Sequence, residues 1–319
     1  MTVRDVVVRK DSAGPGVRGV VPVVAAVVAG VGLALQARLN GDLGALAGDG
    51  ITGTLASTAV GLLLLLAVVP LLPSGRRGLG RIRTAVRRNE LRWWQLSGGL
   101  CGALFVAGQG ISAAPLGVAV FTVAAVGGTA VGGLVVDRFW PGPGGPRPIT
   151  VARAVGAVAC VGAVAIAGGG AWAGEGTLAL VVLPVLAGVA IAVQSSLNGR
   201  VGAVAGSPWP ATLLNFVVAT AGLGIALVLR VVLTGSSVGQ LPGEPLLYLA
   251  GVIGVGVIAV ATLAVRRIGV LVFGLASVAG QLLGAVALDM ITSGPPSTAT
   301  LIGVVITFVA LALAARRSR

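Results

Sequence analysis

Two amide motifs are the residues of this sequence best suited to contact a polar molecule. They read QARLNG from Gln36 and QSSLNG from Gln194, so the pattern Gln-x-x-Leu-Asn-Gly recurs after 158 residues. On a helix, the Gln and Asn of each motif share one face. An unpaired amide is costly in lipid, so these side chains either line a cavity or join helices by hydrogen bonds. For Asn40 and Asn198, each followed by Gly near a helix end, a structural cap or hinge is an equal alternative.

Two aspartates could carry protons. Asp137 and Asp289 occupy equivalent positions, 152 residues apart, at the ends of predicted helices. A carboxylate deep in a membrane is the usual proton-coupling group, whereas one at a helix end caps or anchors that end and stays hydrated. We expect the helix-end role. The changes Asp137→Asn and Asp289→Asn should then leave activity and its pH dependence largely intact.

Other reactive side chains are scarce. The chain has no His, and its two Cys, Cys101 and Cys160, lie within apolar stretches. The lack of His excludes His-containing metal sites and His-based acid–base catalysis. We predict no catalytic residues, no metal site and no cofactor, and we interpret both Cys as packing residues.

The elements that must position the amides are apolar helices. Hydrophobic residues make up 56% of the 319 residues and charged residues 10%, against about a quarter charged in an average soluble domain. Uncharged stretches recur near the roughly 20 residues that a helix needs to cross a bilayer. The sequence predicts an all-α integral membrane protein with ten transmembrane helices, at 20–45, 51–73, 93–113, 116–137, 150–170, 177–203, 209–230, 245–265, 268–289 and 297–315.

The basic residues indicate the direction of insertion. With the N-terminus in the cytoplasm, 20 of the 22 Lys and Arg fall on the cytoplasmic side, and Arg38 and Arg230 fall outside. This distribution is the positive-inside signal. It predicts a multi-pass protein of the cytoplasmic membrane with both termini inside, and it explains the net charge of +13 without a nucleic-acid partner. Arg38 either reaches the outer headgroups or lines an anion-accepting vestibule.

The two motifs belong to an internal duplication. Beyond the motifs the offset becomes 152, which pairs, for instance, Gly128 with Gly280. We predict a cytoplasmic tail at 1–19, a first five-helix repeat at 20–172 and a second at 173–319, together forming one membrane domain. Because five is odd, the two repeats would enter the membrane from opposite sides. Inverted repeats of this kind are typical of secondary transporters.

These features resemble the drug/metabolite transporter superfamily, and within it the YdcZ-like branch of inner-membrane exporters. The residues that carry the resemblance are the two amide motifs, RWWQLSGGLCGALFV at 92–106, LGVAVFTVAAVGGTAVGGLVVDRF at 116–139 and NF at 215–216. The resemblance implies a ten-helix inverted-repeat fold and export of a small molecule. It also implies that Gln36, Gln194 and Gln281 surround one substrate path, with Asn215 as a further candidate.

A secondary transporter that works by alternating access is therefore the leading interpretation. A non-transporting membrane scaffold or sensor is the alternative, and a flux assay in proteoliposomes separates the two. An enzyme is disfavoured, because the chain lacks convergent nucleophiles, acids or metal ligands. The expected partners are the lipid bilayer and an unidentified small molecule, and the sequence leaves open whether the protein is a homodimer.

Overall fold

The structure, a computed structural model, is built from helices. It describes residues 20–139, 151–167, 177–292 and 294–315, with the side chains of 137, 152–153, 177–178, 261–275 and 311–315 outside the description. The helices are α1 (Val20–Leu46), α2 (Gly50–Val68), α3 (Pro73–Arg87), α4 (Gly98–Leu116), α5 (Val118–Phe139), α6 (Val151–Ala167), α7 (Thr177–Ala205), α8 (Pro208–Thr234), α9 (Leu249–Thr292) and α10 (Thr298–Ala315). Short 3-10 helices, Trp93–Ser97 and Pro245–Tyr248, precede α4 and α9.

The helices have the length and the surface of membrane spans. Among the described residues, six helical stretches are long and apolar enough to cross a bilayer, and four shorter apolar helices accompany them. Large apolar side chains face outward, such as Leu63 (66% exposed), Val158 (72%) and Leu233 (78%). Such a surface is costly in water and is accommodated by lipid. The prediction of an all-helical membrane protein is confirmed.

The largest departure from the sequence prediction is the arginine-rich connection after α2. The sequence predicts a span to residue 73 followed by a loop. Instead α2 ends at Val68, just before Pro70, which has no N–H with which to continue the helix. Pro73 then begins α3, an extra helix that buries Ile82 and exposes its arginines. The prediction of a loop is wrong, because the arginines conceal an apolar face made of one large side chain and several small residues.

The region from Leu249 to Thr292 also differs from its prediction as two separate helices. Its backbone is assigned as one continuous helix, yet Gly254 approaches Gln36 on α1 and Gly284 approaches Ala34 on α1. In a straight helix, residues 254 and 284 would lie roughly 45 Å apart. The chain therefore turns back between these two contacts. We call the parts before and after the turn the first and second arms of α9.

Close packing of α1 against the second arm of α9 depends on glycine. A Cβ atom on Gly30 would overlap the carbonyl oxygen of Ser277, and one on Gly280 would overlap that of Val27. Each helix thus presents a glycine to the backbone of the other. Small residues at such positions let helices approach more closely than larger side chains permit.

The same arrangement joins α7 to α5 at the equivalent positions of the duplicated sequence. A Cβ atom on Gly188 would overlap the carbonyl oxygen of Ala125, and one on Gly128 would overlap that of Val185. All four residues are the duplicates of the four at the contact between α1 and α9. The internal duplication read from the sequence is therefore repeated in the packing of the helices.

Candidate functional site

A small cavity lies where six helices meet: α1, α2, α4, α7, α8 and the first arm of α9. Its volume is about 110 Å³, which is room for several water molecules. Among the described residues that line it, four have polar side chains and none carries a charge. These residues are Leu33, Gln36, Thr58, Gly102, Phe105, Val106, Ile191, Gln194, Asn215, Phe216, Ala219, Gly251, Gly254, Val257 and Ile258.

Gln36 and Gln194, equivalent residues of the two motifs, both reach this cavity. Each amide faces a glycine: a Cβ atom on Gly254 would lie 2.6 Å from Nε2 of Gln36, and one on Gly102 would lie 3.2 Å from Oε1 of Gln194. The glycines thus leave room for the two amides. Oε1 of Gln194 is buried without a hydrogen-bond partner. A buried acceptor is costly unless something donates to it, so this atom is suited to receive a donor from a bound molecule.

Asn215 on α8 lines the cavity and is hydrogen-bonded to Asn198 on α7. The Nδ2 group of Asn198 donates to Oδ1 of Asn215 over 2.9 Å. Asn215 is a lining residue and is 5% exposed, whereas Asn198 is half-buried and lies outside the lining. Asn198 therefore supports Asn215 through this hydrogen bond and does not face the cavity itself.

Asn40 lies in a sealed hydrogen-bond network away from the cavity. Its Nδ2 donates to Oε1 of Gln109 over 2.8 Å, and its Oδ1 accepts from the hydroxyl of Ser57 over 2.7 Å. Asn40 is 1% exposed and Gln109 is fully buried. The network joins α1, α2 and α4, and it matches a role in joining helices better than contact with a substrate.

Gln109 is a polar residue that the sequence reasoning missed. It has no counterpart in the second repeat, where the position at the same offset is Ala261. Its Nε2 is buried and makes no hydrogen bond. The signal for it was available, because a glutamine in the middle of an apolar helix is costly unless a polar partner compensates for it. Because Gln109 is not duplicated, the internal repeat gives no indication of it.

Asp289 connects the end of the second arm of α9 to the start of α5. Its two carboxylate oxygens accept hydrogen bonds from the backbone N–H groups of Val118 (2.9 Å) and Ala119 (2.8 Å). Gly117, which precedes α5, has a φ of +80°, a conformation that favours glycine. A carboxylate at a helix N-terminus satisfies N–H groups that have no partner in the helix. Asp289, a residue of α9, thus caps the N-terminus of α5. The expected role at a helix end is observed, but at the end of another helix.

The two remaining candidates lie apart from the cavity lining. Gln281 is 6% exposed and sits where α1 and α9 pack, with its backbone nitrogen 2.7 Å from where a Cβ atom on Gly30 would be. It is absent from the described lining, so the structure brings together Gln36 and Gln194 but not Gln281. Asp137 lies near the end of α5, and its side chain falls outside the described residues.

Arg38 forms an ion pair within α1. Its Nε donates to Oδ2 of Asp42 over 2.8 Å, and both side chains keep part of their surface exposed. Arg230 likewise pairs with Asp49 at 3.1 Å. Both arginines that the sequence assigns to the outer side therefore have a carboxylate beside them.

Comparison with known protein families covers most of the chain. Residues 21–166 and 179–313 match the family model described as "Putative inner membrane exporter, YdcZ". The chain belongs to this family. The two matched segments fall one in each predicted repeat, and the YdcZ resemblance read from the sequence is confirmed. A search of curated proteins finds no match. Membership in the YdcZ family supports a membrane exporter, a kind of protein that is not normally an enzyme.

Proposed function

We propose that this YdcZ-family protein is a secondary transporter that exports a small, uncharged molecule by alternating access. The observation that carries the proposal is the cavity, because Gln36 and Gln194 reach it from equivalent positions of the duplicated sequence. A site between two repeats is where transporters with internal symmetry bind substrate. Packing roles alone would not require that both amides share one cavity.

The proposal includes ten crossings arranged as two inverted repeats. Six long and four shorter apolar helices supply ten candidate segments among the described residues. The reversal of α9 supports two crossings for its two arms, and α3 is too polar to be one. The equivalent glycine contacts of α1 with α9 and of α7 with α5 support repeats of the same internal structure. Both termini would be cytoplasmic, as the positive-inside distribution predicts.

The described state fits one of two exchanging conformations. In the proposed orientation, Asn40 and Asp289 lie toward the outside, and both are almost completely buried. Asn198, the counterpart of Asn40 toward the inside, is half-buried. The burial of Asn40 and Asp289 supports a state that is closed at its outer end. Inverted repeats produce the outward-facing state when the two halves exchange conformations.

The cavity lining supports an uncharged substrate with both apolar and hydrogen-bonding parts. Its described polar groups are three amides and one hydroxyl, beside Phe105 and Phe216. A charged molecule would lose its hydration without gaining an opposite charge from these residues, which is expensive in a low-dielectric site. A molecule with an N–H or O–H group would instead donate to the open acceptor of Gln194.

The experiment begins by comparing metabolites inside and outside cells with and without the protein. Each solute that accumulates inside cells lacking the protein is then tested for flux in proteoliposomes. We expect Gln194→Leu to lower that flux at least tenfold with normal insertion. Gln240→Leu, at an exposed residue outside the cavity lining, is the matched control and should keep it. If no solute differs, and none of a broad panel is transported, the protein is a scaffold or sensor and the proposal fails.

A further inference from the structure

The segment that contains α3 presents a dense basic surface. Between residues 73 and 92 there are seven arginines and one acidic residue, Glu90. Every one of the seven side chains is exposed: Arg76, Arg77, Arg81, Arg83, Arg87, Arg88 and Arg92. No ion pair joins them to a carboxylate within the described part of the chain. The outer arginines differ, since Arg38 and Arg230 each have an aspartate beside them.

The opposite face of α3 is held against the ends of α7 and α8. Ile82 and Ala85 pack in an apolar cluster with Ala205 and Ala211. Gly78 lies so close that a Cβ atom there would be 2.6 Å from the ring of Pro210. This packing fixes the rotation of α3 about its axis. The arginines are therefore directed outward by the fold, and the basic surface exists before any partner binds.

The surface lies at the depth of the helix ends. It begins soon after α2 ends at Val68 and continues through Trp93–Ser97 into α4, so both of its ends are joined to membrane spans. Leu71 (77% exposed) and Trp93 (78% exposed) flank it. Exposed Trp and Leu beside a basic amphipathic helix are typical of a segment at the headgroup level of a bilayer.

From these observations we propose that the exposed arginines of α3 bind the phosphate groups of anionic phospholipids in the adjacent leaflet. The guanidinium group matches phosphate oxygens with two parallel hydrogen bonds, and phospholipid headgroups are the nearest source of phosphate at this depth. A cluster of unpaired basic residues favours anionic headgroups, because no headgroup cation offsets the charge of their phosphate. Each basic residue near an anionic surface should strengthen binding about fivefold. The site is separate from the proposed transport cavity, and the proposal does not depend on transport.

The test measures lipid bound to the purified full-length protein in detergent by native mass spectrometry. The protein is titrated with phosphatidylglycerol and, separately, with phosphatidylcholine. We expect phosphatidylglycerol to bind at least tenfold more tightly. The fourfold variant Arg76→Gln, Arg77→Gln, Arg83→Gln, Arg87→Gln should reduce this preference at least tenfold. Arg81 is left unchanged because its guanidinium donates to the carbonyl oxygen of Ala205.

A fourfold Arg→Lys variant at the same positions is the control. It keeps the charge and loses the paired hydrogen bonds, so it should retain more of the preference than the Gln variant and less than the unaltered protein. Both variants must elute as the unaltered protein does in size-exclusion chromatography. If the Gln variant does not, Arg83→Gln alone is used, with an expected loss of about fivefold in the preference for phosphatidylglycerol.

Equal binding of the two lipids, or a preference that survives the Gln changes, would mean that the arginines only orient the protein. Displacement of phosphatidylglycerol by millimolar inorganic phosphate would mean a site for free phosphate. Either result overturns the proposal.

Discussion

The amide pairs of the two repeats have the same sequence pattern and different surroundings. In the first repeat, Asn40 is sealed in a network with Ser57 and Gln109. In the second, Asn198 is half-buried and has one amide partner, Asn215, which also lines the cavity. The glutamines of both pairs reach the cavity. The two glutamines therefore occupy equivalent positions at the cavity, whereas the two asparagines differ in burial and in their hydrogen-bond partners.

The largest effects are expected from adding side chains at the glycine contacts that the two repeats share. Gly128→Leu and Gly280→Leu should each prevent folding, because the added side chain would overlap a neighbouring backbone and cost about 3 kcal/mol or more. The measurement is the yield of monodisperse protein after extraction. Gly133→Leu on α5 and Gly256→Leu on α9, at positions with open space, should give normal yields. Normal yields for only one of the first two variants would show that the packing is not equivalent.

Replacing Asn40 should destabilise the protein more than replacing Asn198. Asn40→Leu removes two hydrogen bonds and leaves the buried Oε1 of Gln109 unpaired, while the Ser57 hydroxyl can still donate to the carbonyl oxygen of Thr54, so we expect about 2 kcal/mol of lost stability. Asn198→Leu removes one bond from a half-buried site, and we expect about 1 kcal/mol. Unfolding of the purified proteins in SDS measures both values. Equal losses would contradict the view that the two asparagines have different roles.

Asp289 on α9, in the second repeat, is hydrogen-bonded to the start of α5, in the first repeat. This contact can be tested separately. Asp289→Asn keeps one acceptor oxygen for the N–H groups of Val118 and Ala119, so we expect a loss of about 1 kcal/mol. Transport and its pH dependence should remain largely intact, and Asp137→Asn should behave alike. Flux measured across a pH series checks this. If Asp289→Asn abolished proton-dependent flux while substrate exchange survived, Asp289 would be the coupling residue rather than a helix anchor.

The smallest effect is expected where one repeat carries a charge and the other does not. Arg38→Ser installs the residue found at the equivalent position, Ser196. It removes a partly exposed ion pair with Asp42, which should cost about 0.3–0.5 kcal/mol in SDS unfolding. Transport of the uncharged substrate should be unchanged. A large fall in transport would favour the anion-accepting vestibule that the sequence leaves open for Arg38.

Much of the fold followed from the sequence because hydropathy and repetition report on each helix separately. The extents of most apolar helices could be argued from hydropathy alone. The access of Gln36 and Gln194 to one cavity was implied by the resemblance to the YdcZ-like branch, because spacing alone leaves a role in joining helices equally open. Other features depend on how distant helices align, which no local pattern records. Gln109 meets Asn40 only because α4 packs beside α1, and Asp289 caps α5 only because α9 ends next to it. Gln281 packs between helices for the same reason, outside the described cavity lining.

The opposite orientation of the two repeats is the central claim, and one pair of alanines tests it directly. Ala45 and Ala203 are equivalent residues near the ends of α1 and α7, and both are exposed. Each is changed to Cys and labelled in intact cells with a membrane-impermeant maleimide; the unaltered protein, whose Cys101 and Cys160 lie within helices, is the control. We predict that Ala45→Cys reacts in intact cells and that Ala203→Cys reacts only after the membrane is opened. Labelling of both from the same side would contradict the inverted repeat.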